Sequence, residues 1–371
     1  MKREAYAAAR TVSPAVHDYF ARHLREAVGD ERLAPLPSAE AIEGLIDAAF
    51  WASLRREEGY SPRISLAFLA PADASDALLF ERVLPVAPGA LTRVAPAVER
   101  PGVHLGVWQD AGDLYVWGTT RAIPKYCFVL EVSAPGLLVV KHHSGEEAGK
   151  FVNVAVLEGD AIKLVDEYAP SQPECPALVS SLLGFTSPAL WAHSVNVLVQ
   201  LAVSMRAHGR GGCLLVVPAE GEDWRESMVT PLGYAVTPPF TKLAELNTEA
   251  EDSREELDRT VEWIAGLTAV DGAAVMNDRY ELLGFGGKIM RRRRYPQVEQ
   301  VVVTEPVRGA AAMMVSPEEL GGTRHLSAAQ FVQDQHDAIA LVASQDGRFT
   351  IFEWSSCDGM VHAHRVEALL L

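Results

Sequence analysis

Apolar residues recur at helical spacing near the start of the chain. Tyr6, Val12, Val16, Phe20, Leu24 and Val28 fall on one stripe of a helix within residues 4–29. Ser13-Pro14 reads as its N-cap and first helical position, which predicts that the main helix starts there. Ser38 opens a second predicted helix, with Glu40 and Glu43 in its first turns and Ile42, Leu45, Ile46 and Phe50 on one face. Ile64–Leu69 is strand-like and ends at Ala70-Pro71, whereas Val94–Glu99 fits helix or strand.

From Val103 to Asp166 the pattern turns to short strands. Val103–Trp108, Leu114–Gly118, Cys127–Val132, Leu137–Lys141 and Phe151–Leu157 are apolar runs separated by Gly, Asp and Pro, with Glu158-Gly159-Asp160 as a tight turn. Pro170, Pro173 and Pro176, with Ser171 and Gln172 between them, read as a linker. Beyond it, Trp191–Met205 is a predicted helix with Val195, Leu198, Val199 and Ala202 on one face. His208-Gly209-Arg210-Gly211-Gly212 ends that helix, and Cys213–Pro218 is a buried strand. The acidic stretch Glu249–Glu256 opens a helix through Val261, Ile264 and Leu267 that delivers the chain to an apolar strand holding Asp271. Tyr280–Gly286 is a strand entering a glycine-rich turn, Leu326–Gln333 a helix, and Ala338–Ala343 and Phe349–Trp354 a hairpin around Gln345–Arg348. Strands alternating with helices predict an α/β domain with a mixed sheet, preceded by a β-rich α+β module. The expected division is 1–168, a linker over 169–184, and 185–371.

A length of 371 residues agrees with two domains, and 49% hydrophobic against 22% charged residues allows both to bury a core. The net charge of −16 argues against general nucleic-acid binding, which needs a cationic surface, but not against a local ATP site. Arg291–Arg294 is the one strongly basic run and reads first as a solvated loop or a contact for an acidic partner. Cys127, Cys175, Cys213 and Cys357 are far apart, which argues against structural zinc and for reduced thiols. His142-His143 and the other histidines show no metal-ligand spacing. Met1-Lys2-Arg3-Glu4 does not begin a signal peptide, and no apolar run reaches the ~20 residues of a membrane span, so a cytoplasmic protein with no membrane partner is expected.

Two stretches carry candidate chemistry. Asp271 within Val270–Val275 is costly in an apolar strand unless it binds a metal or satisfies a turn, and Gly272 allows close approach to the backbone. Gly321-Gly322-Thr323-Arg324-His325-Leu326-Ser327 opens a helix, where N–H groups, hydroxyls and a guanidinium suit a phosphate. Ordinary capping by Thr323, with an exposed arginine, is the plainer alternative. Phe285-Gly286-Gly287 resembles a loose phosphate loop without the lysine and spacing of a P-loop.

Asp271-Gly272-Ala273 followed by Gly322-Thr323-Arg324-His325 resembles the diadenylate cyclase domain, which carries a DGA and a GTRHR stretch. The likeness takes in Cys213–Val217 and Ala340–Ser344 and covers roughly residues 185–355. Residues 1 to about 168 are similar to the sensor-like modules, of the DACNV type, that precede such domains in some bacterial proteins. His104–Trp108 and Pro135–Lys141 carry that second likeness.

The resemblance implies condensation of two ATP into cyclic di-AMP with release of two pyrophosphates, in a face-to-face homodimer or higher homo-oligomer. It implies Asp271 as ligand of Mg²⁺ or Mn²⁺ and activator of the 3′-hydroxyl, with Arg324 and His325 as its catalytic companions. Gly272, Ala273, Gly322, Thr323, Arg324, His325, Ser327, Ser344 and Gln345 would hold ATP. Leu326 stands where the family has a second arginine, and Gln345 where several members carry a glutamate. These departures favour an alternative, a catalytically silent nucleotide-binding sensor. A protein-interaction module using the acidic surface is a third reading.

Overall fold

The computed structural model describes residues 5–27, 33–57, 59–110, 112–143, 151–165, 196–248 and 253–371. They fall into two compact units that divide at residue 166. The expected linker, 169–184, and the start of the predicted Trp191–Met205 helix lie outside the described residues.

The first unit begins with α1 (Ala7–Glu26), whose Val12, Val16, Tyr19 and Phe20 are buried. The helix starts six residues before the expected Ser13 cap, and Pro14 lies inside it. Proline removes one backbone donor, which costs helix stability. The burial of Ala8, Ala9 and Val12 in the preceding turns offsets that loss, and Tyr6 stacks on Phe50 with ring centroids 3.7 Å apart. Ser38 caps α2 (Ala39–Ser53) as expected, accepting from the Ala41 N–H at 3.2 Å. The segment Val94–Glu99 is helical: α3 (Pro88–Val94) runs into a 3₁₀ turn over Ala95–Val98.

Eight strands form one sheet. They are β1 (Ile64–Phe68), β2 (Ser75–Pro85), β3 (His104–Asp110), β4 (Asp113–Ala122), β5 (Phe128–Ala134), β6 (Leu137–His143), β7 (Phe151–Glu158) and β8 (Ala161–Leu164). Their order is β2-β4-β3-β1-β5-β6-β7-β8, antiparallel apart from the β1–β3 pair. Helices α1 and α2 cover one face, where Phe20, Ile42, Leu45, Leu66 and Phe128 build the core. The register sets Ser65 beside His104 and Glu131 on the neighbouring strands. Ser65 Oγ and His104 Nδ1 are 2.7 Å apart, and Lys141 Nζ donates to Glu131 Oε2 at 2.7 Å.

The second unit is built on β9 (Gly212–Val217), buried along its whole length. Its continuous apolar run is what a central strand covered on both faces requires. Around it stand β10 (Tyr234–Phe240), β11 (Ala273–Asn277), β12 (Leu282–Gly287), β13 (Val301–Thr304), β14 (Met313–Val315), β15 (Ile339–Ala343), β16 (Phe349–Ser355) and β17 (Met360–Arg365). The order is β10-β12-β11-β9-β15-β16-β17-β13-β14, a mixed sheet as expected from the alternation of elements.

Helix α4 (Val197–Ala207) is capped by Asn196, and α5 (Lys242–Thr248) and α6 (Arg254–Leu267) follow β9 and β10. On that face Leu198, Leu201, Val261 and Ile264 meet Leu214, Val216, Met276 and Leu341. The short α7 (Pro317–Leu320) precedes α8 (Thr323–Asp334). On the opposite face Ala328, Phe331 and Val332 of α8 meet Leu215, Val275, Ala340 and Phe352. Cys127 and Cys213 are free and buried, and burial pushes the Cys213 thiol up to about 12. Cys357 is disulfide-bonded, a departure from the reduced thiols expected at all four cysteines. No described helix is long and apolar enough to cross a membrane.

Candidate functional site

Three neighbouring strands finish at one end of the second sheet. The parallel β9 and β11 begin there, with Ala274 beside Leu214, and the antiparallel β15 ends there, with Ala343 opposite Gly212. The segments before β9 and β11 and after β15 therefore converge. They carry Arg210-Gly211, Asp271-Gly272 and Ser344-Gln345.

Asp271 lies before the strand rather than inside it. Pairing of β11 starts at Ala273 because Gly272, at φ +119°, leaves the extended conformation. The expected cost of a carboxylate in an apolar strand does not arise, since the Asp271 side chain is 92% exposed. Gly272 is held by close packing: a Cβ there would lie 2.6 Å from the Gly287 carbonyl oxygen.

The same β11–β12 register sets Ala273 opposite Gly287 and so brings Lys288 to Asp271. Lys288 Nζ is 2.6 Å from Asp271 Oδ2, and its hydrogen bond and charge hold the carboxyl below its ordinary range, with a smaller effect from Arg324. The glycine pair before Lys288 looked like a phosphate loop without its lysine. The structure shows a lysine that directly follows the pair and meets the carboxylate.

Arg324 comes from the first turn of α8. Gly322, not Thr323, is the N-cap, and no side chain caps the helix. The first-turn N–H groups of α8 are thus left without a capping side chain. The Arg324 guanidinium reaches Gly211, where a Cβ would stand 3.0 Å from Nη1, 3.3 Å from the Ala343 carbonyl oxygen and 3.4 Å from Gln345 Cγ. Gly211 has φ +71°, so glycine there serves both the turn and the approach of Arg324. Gln345 Nε2 donates to the Arg210 carbonyl at 3.5 Å. Sequence reasoning took this glycine-rich loop only as the end of a helix, so Arg210, Gly211 and Lys288 are additions to the site.

Other expected members stand elsewhere. His325 is 3% exposed, with its ring against Gly321 and edge-on to Phe352 at 6.2 Å. Burial pushes its pKa down, and Nε2 is buried without a hydrogen-bond partner. The charges that act on it are Asp346, Arg348 and Arg365, so it belongs to the packing of α8 on the sheet. The Ser344 hydroxyl hydrogen-bonds to Asp346, and its backbone N–H donates to Arg348 O at 2.9 Å, which makes it a turn residue. Ala273 is buried in the core, Ser327 is half-buried on α8, and Gly322 and Thr323 are exposed at the helix start. Leu326 packs against the core beneath α8.

The arrangement can hold an anion. Arg324, Lys288 and the open start of α8 supply charge and donors at one sheet end, with Asp271 as a carboxylate among them. It does not fit a resident divalent cation. Asp271 is already paired with a lysine, and among the described residues no three of His, Cys, Asp and Glu come together.

In the basic run, Arg292 pairs with Glu226 at 2.6 Å, its N–H donates to Asp334, and Arg291, Arg293 and Arg294 are exposed.

None of the curated proteins compared with this chain matches it. A solved structure titled as that of a hypothetical membrane spanning protein from Bacillus cereus is similar at 17% identity and a TM-score of 0.27. The match covers 46% of this chain and 63% of that one, so this chain spans less than two thirds of the other's length. A TM-score so low does not establish a shared fold. Residues 31–121, all within the first unit, match the family described as "Probable sensor domain DACNV".

Proposed function

We propose that the second unit binds ATP at the end of its sheet and acts as a diadenylate cyclase governed by the sensor-type first unit. The observation that carries this reading is the convergence of Asp271 and Arg324. They lie in two motifs about fifty residues apart, yet Arg324 contributes to the field at the Asp271 carboxylate. Two such units face to face would let each 3′-hydroxyl attack the other ATP's α-phosphorus. A Pα–O3′ bond forms, the bond to pyrophosphate breaks, and the hydroxyl proton leaves to a base. Phosphoryl transfer of this kind depends mainly on positioning and charge, which Arg324, Lys288 and the start of α8 supply. Asp271 is engaged with Lys288, so the described residues do not offer the ligand set that the cyclases' Mg²⁺ or Mn²⁺ requires.

That ion pair and the packing of Leu326 favour a second reading, in which the unit binds ATP without joining two of them. Titration of ATP into the full chain, followed by calorimetry, tests the site common to both. Arg324→Ala should weaken binding by about tenfold, the effect of one charge-assisted contact to phosphate. Equal affinity in the variant would remove this end of the sheet as the ATP site.

A further inference from the structure

We infer that the first unit has a ligand site of its own, a cleft beside α2 and α3, cationic at one end, that takes a phosphorylated small molecule with a planar ring, the chemistry of a nucleotide. Two adjoining hollows of about 450 Å³ and 330 Å³ form it, sharing Glu57 and Thr92 as walls. Their size is that of ordinary ligand clefts, roughly 300–1,000 Å³. Arg55, Arg56 and Arg93 line the smaller hollow, and Arg63 and Tyr60, with the carboxylates of Glu57 and Glu99, line the larger.

The charges are unusual for this chain. With 49 acidic and 33 basic residues, a surface arginine is surrounded by an excess of carboxylates. Arg10 and Arg121 of the same unit have found theirs, on Glu43 and Asp76. Arg55, Arg56, Arg63 and Arg93 form no ion pair among the described residues, although Glu57 borders both hollows. The three arginines that line the smaller hollow repel one another, and an anion entering there relieves that repulsion. Guanidinium groups bind phosphate through paired N–H donors, which sets phosphate above a simple halide. Gly89 contributes to the arrangement, because a Cβ there would come within 3.3 Å of Arg55 Nη1. Any larger residue would crowd the guanidinium against α3.

Tyr60 supplies the second half. It is 77% exposed, while its backbone is paired with that of Glu57, Glu57 N–H to Tyr60 O at 3.1 Å and Tyr60 N–H to Glu57 O at 2.9 Å. An aromatic ring held in solvent is a ready stacking platform for a base. Glu57, standing between the hollows, and Glu99 in the larger one disfavour a bare polyanion that would fill both. They suit a ligand with an anionic end among the arginines and a neutral, donor-bearing ring over Tyr60.

The test uses the full chain carrying Lys288→Ala and Arg324→Ala, so that the second unit's site loses both of its cations, and AMP and pyrophosphate as probes without divalent metal. Calorimetry should show AMP binding to this folded chain. Adding Arg55→Ala with Arg93→Ala should weaken binding by about tenfold or more, whereas Arg121→Ala should not. Tyr60→Ala should weaken AMP while leaving pyrophosphate unchanged. All these side chains are exposed, so circular dichroism and thermal midpoints should stay at the parent values. Absence of AMP binding to the folded parent, or binding that Arg55→Ala with Arg93→Ala leaves unchanged, would overturn the inference. AMP binding lost with Lys288→Ala and Arg324→Ala alone would likewise overturn it, while leaving the ATP site of the second unit standing. AMP held by the cleft, together with no cyclic product from the unsubstituted chain and ATP, would retain the inference and end the cyclase reading.

Discussion

Replacing Gly272 with alanine tests the close approach on which the sheet-end site is built. The backbone there has φ +119°, and an added Cβ would lie 2.6 Å from Gly287 O and 2.7 Å from Gly286 C. Both neighbours are backbone of β12, so no side-chain tip can swing aside. Holding an alanine in such a conformation costs about 1–3 kcal/mol. Forcing the strands apart costs about 1–3 kcal/mol more, the usual penalty of overpacking. The sum, about 2–6 kcal/mol, is a large part of a typical domain's stability of about 5–15 kcal/mol. Urea denaturation of the full chain should therefore show an earlier transition of the second unit. Hydrogen exchange resolved by peptide should locate the loss of protection in β11 and β12 and leave β3 of the first unit unchanged. A loss below about 0.5 kcal/mol, the range of ordinary surface substitutions, would refute the claim that Gly272 is pinned against β12.

Two further outcomes follow from buried or half-buried side chains. Burial pushes His104 down to about 4, with the nearby Lys141 and His143 acting in the same direction and Glu131 against it. The folded chain keeps the ring neutral while the unfolded chain protonates it. Its contribution is therefore complete above about pH 6.5 and lost as pH falls towards 4, by about 3 kcal/mol in all. Urea midpoints of the first unit between pH 7 and pH 4.5 should fall less steeply for His104→Gln than for the parent, and parallel curves would contradict the burial argument. Leu326→Arg should lower the thermal midpoint, by about 1–3 kcal/mol of stability, without strengthening ATP binding, because position 326 faces the core under α8. Tighter ATP binding at unchanged stability would show that the side chain can reach the site after all.

The elements that read clearly from the sequence are those whose burial and periodicity agree. β9 and β15 are unbroken apolar runs, and both are central strands covered on two faces. β2 is an exposed edge strand with Leu78 and Leu79 in solvent, so no alternation marks it. In β17 the buried His362 and the half-buried His364 look like solvent positions. They are satisfied by Asp358 and Glu353, partners that only the strand pairing reveals. The site was legible to the same extent. Arg324 and Asp271 stand in recognisable motifs, whereas Lys288 reaches Asp271 only through the β11–β12 register. His325 shares the stripe of Ala328, Ala329 and Val332, which is the core face of α8, a placement its motif alone does not reveal.

Incubation of the purified chain with ATP and either Mg²⁺ or Mn²⁺, with products resolved by chromatography and mass, bears on the central claim directly. Cyclic di-AMP and pyrophosphate in a one-to-two ratio should form with the parent chain and vanish with Asp271→Asn and with Arg324→Ala. ATP bound by a confirmed dimer and returned unchanged would contradict the cyclase reading, and would leave the second unit as a nucleotide-binding partner of the sensor-type first unit.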